Sequence, residues 1–171
     1  MTRVRWTRTT VLPVVLILAV SWLLCLALAA TEPVNVDEHM YLAAASFVGE
    51  ARLYEDVAFF QPPYAAWVYA GWERLAPGDW VLLSARLLKA LLAAGLVAAL
   101  FTLLRRLGAG ALLAALLILL LVHTGPVRGV VAVARNYDLA QLAVLGALLL
   151  LPLRPGDEEG RWRLVAAGVL A

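Results

Sequence analysis

Residues 11–30, VLPVVLILAVSWLLCLALAA, decide the fold class of this chain. The stretch has no charged residue and is long enough for one helix to cross about 30 Å of hydrocarbon. Of the 171 residues in the chain, 64% are apolar and 15% are charged, and the mean hydropathy is +0.87. A soluble domain of this size could not hide so many apolar side chains from water. The composition therefore excludes a disordered chain and favours an integral membrane protein.

Three arginines, Arg3, Arg5 and Arg8, precede this first apolar stretch. By the positive-inside rule they place the N-terminus in the cytoplasm and predict an uncleaved anchor helix over 11–30. A cleaved signal peptide is the alternative, because residues 27–29 resemble a cleavage site. Further apolar stretches predict spans at 80–104, 109–127 and 130–153, and the start of another at 164–171.

These segments predict an all-α fold: a polytopic bundle of transmembrane helices, in a multi-pass protein of the plasma membrane. The proposed cytoplasmic segments hold eight arginines and three acids, a net charge of +5, whereas the rest of the chain carries −3. This bias places the long segment 31–79 outside the cytoplasm. Because the stretch 164–171 is too short to span a bilayer, we expect residues 1–171 to be the N-terminal part of a longer protein.

The external segment carries two signals for helices that lie in the membrane interface. Helical periodicity over 37–50 predicts an amphipathic helix with the apolar face Met40, Tyr41, Ala44, Phe47 and Val48. Proline fits the first turn of a helix, so Pro62-Pro63 predicts a second helix start. Amphipathic aromatic rings that suit headgroup depth follow, at Tyr64, Trp67, Tyr69 and Trp72.

Two adjacent acids, Asp37 and Glu38, closely follow the first predicted span. A carboxylate at the membrane edge can serve as a general base within hydrogen-bond reach of an acceptor hydroxyl. Helix capping is the alternative, because acids at a helix start interact with free N–H groups and with the helix dipole. Tyr41 lies one helical turn beyond Asp37, where it can orient the acid, stack on a ring or serve only as an interfacial aromatic.

Cations recur near the predicted outer ends of the spans, as Arg86 and Lys89 in the second and as Arg128 and Arg135 near the fourth. Ionisable residues inside a membrane are costly, so each indicates a functional site with a partner. A guanidinium presents a planar fork of donors that suits a phosphate. The alternatives are a structural pair between Arg135 and Asp138, three residues apart, and snorkelling of Arg86 and Lys89 to the headgroups.

These features follow one another in a specific order. The order is DEHMY at 37–41, Gly49, Leu53-Tyr54, QPP at 61–63, ARL at 85–87, two arginines at 105–106, and ARNYD at 134–138. It resembles the N-terminal part of the C-type polytopic membrane glycosyltransferases, over about residues 11–153. The closest branch contains the dolichyl-phosphate-mannose protein mannosyltransferases and the bacterial aminoarabinose transferase of lipid A.

The resemblance implies an inverting hexosyl- or pentosyltransferase. Such an enzyme takes a sugar from a polyprenyl-phosphate carrier and places it on a lipid, glycan or protein acceptor outside the membrane. It implies that Asp37 deprotonates the acceptor hydroxyl and that Glu38 supports it. The implied substrate-binding residues are Tyr41, Gln61, Arg86, Arg128, Arg135 and Asp138.

The chain departs from the pattern of these relatives before its double proline. Many relatives have a lysine there that reaches the donor phosphate, whereas this chain has the neutral Gln61. Some also place a metal-binding acid one residue earlier, where Phe60 cannot coordinate a metal. The departure argues against a divalent metal, and no other cofactor is expected. The phosphate contact would then fall to Arg86, Arg128 or Arg135.

The function classes that remain differ in where they need polar groups. Nucleic-acid binding has no support, because the arginines are scattered beside apolar runs and form no basic face; the expected surroundings are membrane lipids. A non-catalytic polytopic membrane protein, such as a transporter or an assembly subunit, is the alternative to the transferase. A transporter needs polar groups near the bilayer midplane, whereas Asp37 and Glu38 lie at the edge.

Overall fold

The computed structural model of this chain describes residues 8–78, 80–124, 133–151 and 169. These residues form six helices: α1 Arg8–Thr31, α2 Val36–Ser46, α3 Tyr64–Leu75, α4 Val81–Arg106, α5 Ala111–Val122 and α6 Tyr137–Leu150. Within the same residues, β-structure is limited to two isolated bridges, Val48 to Ala51 and Leu53 to Val57. The predicted all-helical class is therefore confirmed.

Two of the helices are long and apolar enough to cross a membrane, namely Val11–Thr31 of α1 and Val81–Arg106 of α4. At 1.5 Å per residue, the 26 residues of α4 extend for about 39 Å. Both helices leave leucines on their outer faces, among them Leu16 and Leu23 of α1 and Leu87 and Leu91 of α4. Length and composition thus suggest a membrane protein.

The helices α5 and α6 are shorter than the spans predicted at 109–127 and 130–153. They have 12 and 14 residues, or about 18 and 21 Å, against about 30 Å of hydrocarbon. The parts of these predicted spans at 125–132 and 152–153 lie outside the described residues, as does most of 164–171. A continuous helix from 130 is wrong at 133–136, because the Ala134 N–H bonds to the Glu38 side chain instead of to an earlier carbonyl.

Small side chains bring the long helices close together. Ala90, Ala93, Ala114 and Ala115 are buried where α1, α4 and α5 pack, and α6 packs against α4. Small residues at such contacts allow the backbones of apolar helices to approach closely. The Trp22 indole of α1 also donates a hydrogen bond to the Ala90 carbonyl of α4, at 2.8 Å. The packing aligns the end of α1 with the start of α4.

The helix α2 is shorter than the amphipathic helix predicted over 37–50. It buries Glu38, Tyr41, Ala44 and Ala45 and ends at Ser46. Phe47 and Val48 therefore lie beyond the helix, and Phe47 is exposed, so the predicted apolar face is wrong at its end. The physical reason is the turn that follows, in which Gly49 adopts a φ of +96° that favours glycine.

The helix α3 begins at Tyr64, directly after Pro62-Pro63, as the double proline predicts. Its inner face packs against α2 and α4 and includes the buried Tyr69. Trp72 donates from its indole to the carbonyl oxygen and the hydroxyl of Ser84, at 2.9 and 3.0 Å. The outer face carries the exposed Trp67 and Leu75. These contacts hold the 32–80 segment against the end of α1 and the start of α4.

Candidate functional site

Charged side chains meet where four helix ends come together. These are the C-terminal end of α1 and the N-terminal ends of α2, α4 and α6. The charges form three ion pairs, each between residues far apart in the chain: Glu38 with Arg86, Asp138 with Lys89, and Asp37 with Arg135.

Glu38 is fully buried and makes four hydrogen bonds. Its Oε1 accepts from Arg86 Nε and from the Ala134 N–H, both at 3.0 Å. Its Oε2 accepts from Arg86 Nη2 at 2.8 Å and from the Asn35 N–H at 3.0 Å. Asn35 is the N-cap of α2, so Glu38 also completes a capping box. These bonds fill the carboxylate and give Glu38 a structural role beside Asp37.

Two opposing effects act on the pKa of Glu38. Burial alone would raise it, because a charged carboxylate loses its hydration. The hydrogen bonds from Arg86, Ala134 and Asn35 favour the charged form, and together they hold the pKa of Glu38 below its ordinary value. Glu38 is therefore an ionised acid that stabilises the fold.

Arg86 uses all five of its N–H donors within the protein. Besides its bonds to Glu38, Nη1 donates to the carbonyls of Ala29 and Glu32, at 3.1 and 2.7 Å, and Nη2 to that of Pro33, at 3.3 Å. These carbonyls belong to the end of α1 and the residues after it. The side chain is buried, so snorkelling to the headgroups is wrong for Arg86. A phosphate at Arg86 would have to displace these bonds.

Lys89 and Asp138 form a second buried pair, between α4 and α6. Lys89 Nζ lies 2.6 Å from Asp138 Oδ2, and both side chains are fully buried. Snorkelling is therefore wrong for Lys89 as well. Asp138 Oδ1 accepts no hydrogen bond from any other described residue. The interpretation of Asp138 and Arg135 as a structural pair is also wrong, because Arg135 lies before the start of α6 and pairs with Asp37.

The third pair, Asp37 with Arg135, is open to solvent on one side. Arg135 Nη2 lies 2.9 Å from Asp37 Oδ2, and the two side chains are 22% and 48% exposed respectively. Asn35 is the N-cap of α2, and Asp37 lies in the first turn, where an acid also interacts favourably with the helix dipole. Arg135 Nε is buried and has no hydrogen-bond partner among the described residues.

Aromatic side chains hold Arg135 and border Asp37. The Tyr69 hydroxyl donates to the Arg135 carbonyl at 3.1 Å, and the Arg135 guanidinium lies 5.9 Å from the centre of the Tyr137 ring. Tyr41 is buried beside Asp37. Burial and the nearby Tyr137 and Asp37 raise the pKa of Tyr41. The Asp37–Arg135 pair thus lies among aromatic side chains.

The remaining predicted site residues lie apart from the pairs or outside the described part of the chain. Gln61 is half-buried, and its backbone carbonyl accepts a hydrogen bond from the Tyr54 hydroxyl at 2.7 Å. Among the described residues, the Gln61 side chain makes no hydrogen bond to the charged cluster. Arg128 lies outside the described residues. No three acidic, histidine or cysteine side chains gather into a metal-binding group in the part of the chain that the structure describes.

Sequence reasoning missed three contributors to the site. They are Lys89 as the partner of Asp138, the Ala134 N–H, and the Tyr69 hydroxyl. The opposite charges of Lys89 and Asp138 within apolar segments were a usable signal, because a charge inside a membrane needs a partner. Nothing in the sequence indicates the Ala134 contact, since a backbone N–H has no side-chain signature.

What the arrangement can do chemically follows from its one open pair. A half-exposed carboxylate can accept a proton from a hydroxyl group, and a guanidinium beside it can bind an anion. Comparisons of this chain with protein-family models, with curated proteins and with solved structures found no match. The functional argument therefore depends on these residues and their geometry.

Proposed function

We propose that this chain belongs to a membrane glycosyltransferase that moves a sugar from a polyprenyl-phosphate carrier to an acceptor hydroxyl outside the cytoplasm. The observation that carries the proposal is the half-exposed Asp37 carboxylate, 2.9 Å from Arg135, at the ends of two helices long enough to cross a membrane. A base and an anion-binding cation thus lie together where a lipid-linked phosphate could reach them.

The reaction needs few parts. Asp37 takes the proton of the acceptor hydroxyl while the acceptor oxygen attacks the anomeric carbon of the sugar. The bond from that carbon to the phosphate oxygen breaks, and the polyprenyl phosphate leaves with the electron pair. Attack opposite the leaving group inverts the anomeric centre. Arg135 stabilises the charge that develops on the departing phosphate.

The two buried pairs support this arrangement because they fix both partners of the open pair. Glu38 is the neighbour of Asp37 in α2, and it accepts a hydrogen bond from the N–H of Ala134, the neighbour of Arg135. Lys89 pairs with Asp138, which is three residues after Arg135 in the chain. Catalysis by positioned groups requires such preorganisation, since a misplaced base or cation loses most of its effect.

The proposed setting is a multi-pass protein of the plasma membrane with its N-terminus in the cytoplasm and the site outside. The carrier chain dissolves in the bilayer, so its phosphate is presented at the interface. The helices α5 and α6 would then complete a polytopic bundle with α1 and α4, against which they pack. The donor is a polyprenyl-phosphate sugar, and the acceptor is a lipid, a glycan or a protein.

One observation favours the runner-up, a non-catalytic membrane protein such as a transporter or an assembly subunit. The buried Lys89 lies about 12 Å along α4 from its start, which is well inside a span, and it pairs with Asp138 across a helix contact. Buried charges at such a depth can mark an ion or proton pathway. A transferase requires the open Asp37–Arg135 pair, whereas a transporter requires the buried Lys89–Asp138 pair.

The experiment that tests the proposal is a transfer assay with membranes from cells that express the complete gene. Labelled sugars are supplied either as polyprenyl-phosphate sugars or as the matching nucleotide sugars. We expect incorporation into an acceptor only from a polyprenyl-phosphate sugar, with inversion at the anomeric carbon. Absence of transfer from every polyprenyl-phosphate sugar tried, in membranes that contain folded protein, would contradict the proposal.

A further inference from the structure

Tyr54 has a backbone conformation that its side chain disfavours. Its φ is +79°, and among the described residues it is the only one besides glycine with a positive φ. A bulky aromatic residue in this region is strained, because its Cβ crowds the backbone. Strain of this kind persists where the surrounding structure enforces it, often at a binding site. A glycine at this position would have no such strain. The presence of tyrosine therefore suggests that its side chain has a role.

Two contacts fix the Tyr54 ring although more than half of it is exposed. The ring lies 6.2 Å from that of the buried Phe59, at 48° to it, and 54% of the residue is open to solvent. The hydroxyl donates to the Gln61 carbonyl at 2.7 Å. An exposed ring that is already immobilised loses little conformational entropy when a ligand binds. Tyr54 is thus a preorganised, open aromatic surface.

A chain of ring contacts connects this surface to the open ion pair. Phe59 contacts Tyr41 edge to face, with 6.0 Å between the ring centres. Tyr41 in turn lies beside Asp37 and Arg135. Tyr54 therefore lies two ring contacts from the proposed reaction centre, with the buried rings of Phe59 and Tyr41 between them. The Tyr54 hydroxyl bonds to the residue that opens the Gln61-Pro62-Pro63 turn.

The surroundings of the ring indicate the chemistry of its ligand. Arg52, Glu55 and Asp56 flank it in the chain, and they form exposed ion pairs in the same turn. A surface that faced lipid would not carry these charges. A pyranose has an apolar C–H face that stacks on an aromatic ring and hydroxyls that bond to carboxylates and guanidinium groups.

We propose that Tyr54 is a platform on which a sugar ring stacks, on the exposed side of the ring cluster that borders the Asp37–Arg135 pair. This inference deepens the proposed function and rests on it for the identity of the ligand as donor or acceptor sugar. The strained backbone aims the ring outward, and the contacts with Phe59 and Gln61 hold it there. Tyr54 is a binding residue that sets specificity and takes no part in proton transfer.

The test measures sugar binding without any turnover. The protein is placed in lipid nanodiscs free of glycosidic detergent, and saturation-transfer NMR is recorded with methyl pyranosides of glucose, mannose, galactose and arabinose. We expect at least one glycoside to be saturated by the wild type. Tyr54→Phe keeps the ring and its contact with Phe59 and should keep most of the signal. Tyr54→Gly should lower the signal roughly three- to tenfold, the range that an aromatic contact carries.

Two controls separate binding from folding. Phe60→Ala removes a ring that is 88% exposed in the same segment, and it should leave the saturation unchanged. Circular dichroism verifies the helix content of Tyr54→Gly. Tyr54→Asn, which tolerates the left-handed region, replaces that variant if it does not fold. Equal saturation by the ring-free variant and the wild type, or no saturation of any glycoside by the wild type, overturns the inference.

A second readout distinguishes this inference from the proposed function. The wild type and Tyr54→Gly are compared in the sugar-transfer assay as well as in the binding assay. If glycoside binding depends on Tyr54 but the protein transfers no sugar, the transferase proposal is contradicted and the role of Tyr54 in sugar binding is supported. If Tyr54→Gly transfers sugar with the wild-type KM, the transferase proposal is supported and the role of Tyr54 in sugar binding is contradicted.

Discussion

Arg86 of α4 donates two hydrogen bonds to Glu38 of α2, at 3.0 and 2.8 Å, across an interface that excludes water. The same guanidinium bonds to three carbonyls at the end of α1 and after it. Through this one buried arginine, α2, which carries Asp37, is connected to both α1 and α4. The hydropathy pattern predicts α1 and α4 to be membrane spans. The open ion pair depends on this connection for its position.

The first prediction concerns acid stability. The folded-state pKa of Glu38 lies below its ordinary value of 4.5, so its contribution to stability is complete above about pH 4.5. It is lost as the pH falls through the lower folded-state value. Glu38→Gln cannot pair with Arg86 and should be less stable at pH 7 by about 3–5 kcal/mol. Thermal unfolding between pH 7 and pH 3 measures both effects.

Glu50→Gln is the matched control, because Glu50 is an exposed acid in the same segment. It should unfold as the wild type does at every pH. An acid transition of the same size in Glu38→Gln and in the wild type would show that Glu38 is not the group responsible.

The second prediction concerns the buried pair of Lys89 and Asp138. Lys89→Met leaves a buried carboxylate without its cation and should lower the free energy of unfolding by about 3–5 kcal/mol. The double variant Lys89→Met/Asp138→Leu removes both charges and should recover most of that loss. Unfolding in nanodiscs gives the stabilities. Wild-type stability of Lys89→Met alone would contradict the buried pair.

The same double variant separates the two candidate functions. If the pair only positions Arg135, sugar transfer by the double variant should stay within about tenfold of the wild type, a loss of about 1.4 kcal/mol in transition-state stabilisation. If the pair is a transport pathway, the double variant should abolish function altogether.

The third prediction concerns Arg135. Arg135→Lys keeps the positive charge but loses the planar fork of donors. The KM for the polyprenyl-phosphate sugar should rise roughly tenfold, since a charge-assisted hydrogen bond contributes about 1.5–3 kcal/mol. Arg74→Lys is the matched control on an exposed arginine of α3. A KM that Arg135→Lys leaves at the wild-type value would remove Arg135 from the donor site.

The fourth prediction concerns orientation in the membrane. In a Cys25→Ala background, a membrane-impermeant maleimide should label Glu55→Cys in intact cells, because the proposed topology puts the segment between α2 and α3 outside the cytoplasm. Leu107→Cys, in the exposed turn after α4, should react only after permeabilisation. The opposite pattern would put Asp37 in the cytoplasm and end the argument for transfer outside it.

The parts of the fold that hydropathy determines could be predicted from the sequence. The spans expected at 11–30 and 80–104 agree with α1 and α4 to within three residues, because a long apolar stretch has few alternatives to a helix. The start of α3 after Pro62-Pro63 follows from the fixed φ of proline. These are local properties of the chain.

The pairing of the charges could not be predicted, because it depends on tertiary contacts. The Ala134 N–H bonds to Glu38, 96 residues away, and this contact replaces the helix that the apolar pattern favours there. Arg135 consequently lies outside α6 and turns to Asp37, and Asp138 turns to Lys89. Spacing along one helix suggested the wrong partners, since it considers only neighbours three or four residues apart.

The central claim is that Asp37 is the base. Asp37→Asn keeps the size of the side chain and removes its basicity, so sugar transfer from a polyprenyl-phosphate donor should fall by about 10²–10⁴-fold. Glu50→Gln makes the matching change at an exposed acid of the same segment and should transfer at the wild-type rate. The measurement is the initial rate with membranes matched for folded protein. We expect the large loss for Asp37→Asn alone, and a wild-type rate in that variant would show that Asp37 is not the base.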